Sequence, residues 1–320
     1  MRALVAAAAC VCLAAALQGG CAASSIPRPE LPGGAPVELT DTSFHPQRDY
    51  QCGPAALATV LESAGVAADP DELAPFLYVP GRRGSFQAEM AALPRRYDRL
   101  AVPIEGSLDA VVDQLLRGRP VLVLQNLALE RWPRWHYAVV VGYLPEEDRF
   151  VLRSGDERRM EMGRNRFIAT WLRADRWGLV VLPAGAAPEG LDPPAYLRAA
   201  AGLETAGRYA AALQAFDAAL IVWPDDPTAR LGRATNLYQL GRRGEAENAY
   251  RALLGMAPED VAGLHNLAML LVEDGRPCAA LTALPAPAVG EPALIASARQ
   301  AALAAAGVGG SGAGASAACQ

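Results

Sequence analysis

The spacing of apolar residues changes twice along the chain. From Cys52 to Ala64 they follow one another closely enough for a helix buried on most of its surface. Pro54 falls in the first turn, where its missing N–H costs nothing, and Gly65 supplies the stop. A second helix is expected from Ser85 through "FQAEMAALPRRY", stopped or kinked at Pro94, and a third over "SLDAVVDQLLRG". From residue 120 the runs shorten. "PVLVLQNL", "HYAVVVGY", "RFVLRSG" and "RRMEM" are β-branched and separated by turn signals such as "LPEED", which predicts strands. "NRFIATWL" reads as a short helix and "WGLVVLP" as a last strand. Helices first and antiparallel strands afterwards is an α+β order.

Past Pro183 the segment 184–194, "AGAAPEGLDPP", predicts a linker. Beyond it a longer period takes over. Gly207, Gly241 and Gly275 recur every 34 residues, as do Leu203, Leu237 and Leu271, and Ala212, Ala246 and Ala280. Phe216 with Tyr250 and Pro224 with Pro258 keep the same interval. Thirty-four residues is the tetratricopeptide period, a helix–turn–helix pair that buries its apolar face only by stacking on neighbours. The small alanines allow close helix approach, the aromatic fills the gap, and the proline ends the second helix. Two repeats are regular. The second helix of the third is broken by "ALPAPAVG", and "EPALIASARQAALAAAG" reads as a capping helix. Such an all-α domain over 195–306 commonly offers a surface to a peptide or protein partner; packing on the first domain or dimerisation is the other use. The end, 307–320, is Gly/Ser/Ala-rich and expected to be disordered.

Composition narrows the function classes. The chain has 320 residues and a formal charge of -5, which gives no whole-chain case for nucleic acid. It contains no lysine, so no lysine can serve as a catalytic amine or Schiff-base former. The first 20 residues carry Arg2 and then an apolar stretch too short to span a bilayer, as in a signal peptide. "LQGGC" resembles a bacterial lipobox, with Gln18 where an aliphatic residue is usual and Leu17 one place earlier. Cys21 would then be lipidated, and Ala22 after it favours an outer-membrane lipoprotein facing the periplasm. An ordinary cleaved signal, leaving a soluble periplasmic protein, is the alternative. Residues 21–37 read as a tether, rich in Pro, Gly and Ser.

Cys52, Cys278 and Cys319 remain, in no metal-binding spacing, so neither metal nor cofactor is expected. A Cys278–Cys319 disulfide is allowed in an oxidising compartment and disfavoured by the tail that carries Cys319. The Arg-rich stretch from Arg131 to Arg176 has interspersed acids and reads as a solvated face.

Cys52 stands at the mouth of its helix, where the dipole and free backbone N–H groups favour thiolate. It is either a nucleophile or a small residue at a turn. A nucleophilic cysteine needs a base. The three histidines are His45, in a loop before the helix, His136, opening an apolar strand, and His265, in the repeats.

"QRDYQCGPAALATVL" followed by "HYAVVVGY" resembles the C39 family of papain-like cysteine peptidases, over residues 38–183. The resemblance implies an α+β papain-like cysteine peptidase domain followed by the all-α tetratricopeptide-repeat domain. It implies Cys52 as nucleophile and His136 as base. It also implies Gln47 as an oxyanion donor beside the Cys52 backbone N–H, and a peptide or protein substrate. Where the family has an aspartate orienting the histidine, this chain has Ser154. Asp156 could substitute if the strand is bulged, and Asp148 falls in the hairpin turn. Serine carries no charge to stabilise imidazolium. The expectation is therefore a lipid-anchored cysteine peptidase. A degenerate, non-catalytic adaptor acting through its repeats is the alternative. Amide hydrolysis or acyl transfer on cell-wall peptide stems would use the same site.

Overall fold

The computed structural model describes residues 27–29, 34–47, 51–79, 81 and 84–307. The expected signal segment, Cys21, Cys319 and all but the first residue of the tail lie outside them. Among the described residues no helix is long and apolar enough to cross a membrane.

Seven antiparallel strands form one sheet. They are β1 (Val37–Glu38), β2 (Arg99–Pro103), β3 (Val121–Asn126), β4 (Trp135–Leu144), β5 (Arg149–Ser154), β6 (Glu157–Gly163) and β7 (Gly178–Pro183). Their order is β2-β7-β3-β4-β5-β6, and β1 adds to the far end of β4. Alternate residues of the central strands face opposite ways. Leu122, Leu124, Val139, Val141 and Val181 pack with helix α1 (Cys52–Ser63). Val121, Val123, Ala138, Val140 and Val180 pack on the other face with α4 (Leu108–Leu116) and α5 (Arg164–Leu172). Burial on both faces is why these strands are continuous apolar runs and not alternating ones.

Three elements carried too little pattern to be expected, among them the two-residue β1, whose Val37 falls at the end of the expected tether. Helix α2 (Pro70–Leu77) buries only Leu73 and Leu77, contains Pro75, and starts on an Asp69 cap that accepts from Asp71 N–H at 2.9 Å. Strand β2, "RLAVP", lies at the sheet edge, where Pro103 needs no ladder donor. The helix expected from Ser85 is α3 (Gln87–Ala92), tightening at Pro94 into a 3₁₀ turn over Leu93–Tyr97.

The sequence predicts a linker over 184–194; in the structure this segment is packed. Arg119 donates to the carbonyls of Glu189 (2.8 Å) and Ala187 (2.6 Å), Gln114 to that of Gly190 (3.0 Å), and Ala184 and Leu191 are buried. The repeat helices follow as α6 (Pro193–Thr205), α7 (Tyr209–Val222), α8 (Pro227–Gln239), α9 (Arg243–Met256), α10 (Val261–Glu273), α11 (Pro277–Ala283) and α12 (Ala293–Ala305). The recurring glycines have φ of +71°, +74° and +71°, the left-handed conformation that closes the first helix of each pair. The recurring leucines and alanines are fully buried. A further 34-residue recurrence, Asp192, Asp226 and Asp260, caps α6, α8 and α10. The shortened α11 and the separate α12 match the broken third repeat. Cys278 is disulfide-bonded, and its partner lies outside the described residues. Helices α6 and α7 share one core with the sheet, on the face opposite α1. The repeats are thus built onto the back of the first domain.

Candidate active site

Cys52 is the first residue of α1. Gln51 before it makes no side-chain cap, so the N–H groups of the first turn remain pointed at the thiol. Gly53 is required by a close approach: a Cβ there would stand 2.3 Å from Ser85 Oγ. Strand β4 runs beside this helix end, and the Tyr137 backbone N–H makes a hydrogen bond to the Cys52 sulfur. The thiol therefore lies against the residue that follows His136.

His136 Nε2 is 2.8 Å from Ser154 Oγ. Ser154 ends β5 and is buried. The β5–β6 register shifts between Leu152 and Ser154, the bulge that aims this side chain. Asp156, two residues on, is exposed in the following turn and lines the cleft, and Ser154 is the residue that holds the imidazole. Asp148, in the β4–β5 turn, is engaged by Arg164 at 3.0 Å. Gln47 is held at both ends of its amide. Oε1 accepts from Gly155 N–H at 3.1 Å, and Nε2 donates to the Tyr137 carbonyl at 3.2 Å. The backbone donor at Gly155 fixes which end is oxygen. Nε2 keeps one N–H in excess of that bond.

Arg153, next to Ser154, is buried, and no carboxylate among the described residues forms an ion pair with it. Its guanidinium donates to the carbonyls of Thr40 (3.2 Å), Thr42 (3.1 Å) and Arg158 (2.6 Å). This one side chain ties the segment leading to Gln47 to the β5–β6 hairpin. Of the other histidines, His45 pairs with Glu62 at 3.2 Å and His265 Nδ1 lies 3.0 Å from the Leu294 carbonyl, in the repeats.

These residues open on a cleft of about 940 Å³. Gln47, Cys52, His136, Tyr137, Gly155 and Asp156 line it, with Gly84–Gln87, Pro133–Trp135 and Asp175. The Gly84–Gln87 wall was not foreseen as part of a site; Gly84 before a helix start is the one local signal for it.

Burial corrects the expected charge state. It pushes the Cys52 thiol up, against the backbone N–H groups of Tyr137, Gly53 and Cys52 itself, which favour thiolate. Burial, helped by the positive charge of Arg134, pulls His136 down to about 4. The resting pair is thiol and neutral imidazole. The helix end offers partial charges, and these do not outweigh the loss of water. Among the described residues no cluster of His, Cys, Asp and Glu could hold a metal.

Comparison with known proteins matches two parts of the chain. The Peptidase_C39 like family is matched over residues 39–177 and the tetratricopeptide repeat over 203–270. Solved structures are similar as well, among them two of low identity. A C39-like peptidase from Bacillus anthracis is 18% identical, with a TM-score of 0.41, covering 46% of this chain and 98% of that one. The peptidase domain of Streptococcus ComA, a bifunctional ABC transporter of a quorum-sensing pathway, is 19% identical, with a TM-score of 0.35, covering 44% and 96%. No curated protein matches the chain. Residues 39–177 belong to the C39-like peptidase family, and tetratricopeptide repeats follow them over residues 203–270.

Proposed function

We propose that this protein is a cysteine peptidase with Cys52 as nucleophile and His136 as general base. The observation that carries the reading is the 2.8 Å contact of His136 Nε2 with Ser154 Oγ, on the strand whose next residue bonds the Cys52 sulfur. With Nε2–H donated to Ser154, Nδ1 keeps the lone pair and is the nitrogen left to take the thiol proton. The thiol loses that proton as its sulfur attacks the scissile carbonyl carbon. The oxyanion meets the Cys52 backbone N–H and the second Gln47 Nε2–H. Collapse expels the amine, which takes the proton back from His136 and leaves a Cys52 thioester. Water, deprotonated by His136, attacks the thioester carbon; the C–S bond breaks, the acid leaves, and the Cys52 sulfur takes the proton from His136.

In this reading residues 1–20 are a signal peptide and Cys21 carries lipid that anchors the protein at the outer membrane, facing the periplasm. Residues 21–37 are the tether, 38–183 the catalytic unit, 184–194 the connection and 195–306 the repeats, which bind substrate or a protein partner. The non-catalytic adaptor stands as a second reading on one observation: an uncharged Ser154 in the orienting position. The test is release of new amino termini from an unfolded polypeptide pool by the wild type and by Cys52→Ala. Loss of at least a thousandfold is expected in the variant; equal activity would refute the peptidase.

A further inference from the structure

The segment between β3 and β4 is a rigid hairpin that exposes its apolar side chains. Leu129, Trp132 and Trp135 are 66%, 68% and 54% exposed. The backbone beneath them is fixed. Leu127 N–H donates to the Arg134 carbonyl at 2.9 Å, and Trp132 N–H to that of Leu129 at 3.1 Å. Asn126, buried, accepts from Ala128 and Arg134 N–H at 3.1 and 2.9 Å, and Arg173 holds the Asn126 carbonyl at 3.0 Å. The Arg131 guanidinium lies over the Trp132 ring, 5.3 Å from its centre. A preorganised aromatic surface of this kind is what binding hot spots are made of.

The hairpin is continuous with the cleft: Pro133, Arg134 and Trp135 line it, and Phe86, 44% exposed, stands on another wall. A polypeptide leaving the cleft past Trp135 meets Trp132 and Leu129 next. The hairpin continues the wall of the cleft, which favours the polypeptide that the cleft holds over a bilayer as its occupant.

We infer that the 127–135 hairpin is an exosite that takes an extended segment of the substrate polypeptide bearing aromatic or aliphatic side chains. This rests on the peptidase reading of the cleft. The test uses the full chain with Cys52→Ala on an array of random dodecapeptides. Bound peptides should be enriched in aromatic and aliphatic residues. Leu129→Ser with Trp132→Ser should lower that binding at least tenfold, while Trp132→Phe retains it. In chains that keep Cys52, the double substitution should leave iodoacetamide labelling of Cys52 unchanged. Absence of enrichment, or binding indifferent to the double substitution, overturns the inference. So does unchanged array binding in a double variant that loses association with anionic vesicles or with a second copy, which reassigns the hairpin to a membrane or a dimer. If the peptidase reading alone fails, Cys52 is unreactive and the array result still stands.

Discussion

Removing the Ser154 hydroxyl tests how the imidazole is oriented. In wild type His136 Nε2 has a 2.8 Å contact to a neutral, buried oxygen. A neutral hydrogen bond contributes about 1 kcal/mol net, roughly half a charge-assisted one. If that contact is what holds the imidazole tautomer, Ser154→Ala should slow reaction at Cys52 by about fivefold, and not by the orders of magnitude associated with loss of a base. The rate is read as iodoacetamide labelling of Cys52 at pH 7, with Cys278 and Cys319 substituted. Nitrogen NMR of His136 supplies the independent readout. The Nε2–H tautomer should dominate in wild type and give way to a mixture in the variant. Unchanged labelling with an unchanged tautomer would refute the orienting role of Ser154. A thousandfold loss would mean that Ser154 acts on more than ring orientation.

Three further outcomes follow from the same geometry. His136 is held near 4 when folded against an ordinary 6.5, so between these values the unfolded chain binds the extra proton. Stability from this group is full above pH 6.5 and falls by up to about 3 kcal/mol as pH drops toward 4; His136→Gln should flatten that part of the urea-midpoint profile. Arg153→Met strands three backbone carbonyls and should cost about 2–4 kcal/mol in urea denaturation. Arg153→Lys should recover little of it, because one ammonium cannot reproduce the planar fork. Gly53→Ala drives a methyl to 2.3 Å from Ser85 Oγ and should cost about 1–3 kcal/mol, with a displaced Gly84–Gln87 wall visible in a crystal structure.

Much of the fold can be read in the sequence because local chemistry and packing agree. The repeats are legible since each recurring residue has one task that admits few substitutes. A glycine at φ near +70° ends the first helix, and a fully buried alanine lets the helices touch. The aspartate caps had the same 34-residue interval and were there to be found. Helix α2 and β2 are poorly legible because each buries little of its own surface and draws its stability from neighbours. At the site, Cys52 and His136 stand out by residue type and position. Counting along the strand already put Ser154 in the position that orients His136; the register shift beside it, which no spacing rule specifies, leaves Asp156 in the turn and off the imidazole. The neutral resting pair is equally invisible in the sequence, because the helix dipole is local and burial is a property of the whole fold.

The central claim is that His136 deprotonates Cys52. The pH dependence of Cys52 alkylation by iodoacetamide, in wild type and His136→Ala with Cys278 and Cys319 substituted, tests it most directly. A neutral pair carries the same number of protons as a thiolate–imidazolium pair, so labelling should rise with a midpoint near the His136 value of about 4 and remain fast at pH 7. Without His136 only free thiolate reacts. Burial holds that thiol above its ordinary value, so thiolate is a small minority at pH 7, and labelling should be slower than in wild type and rise only at alkaline pH. Slow labelling in both proteins, rising only above pH 9, would contradict the account and leave a C39-like framework that binds without cleaving.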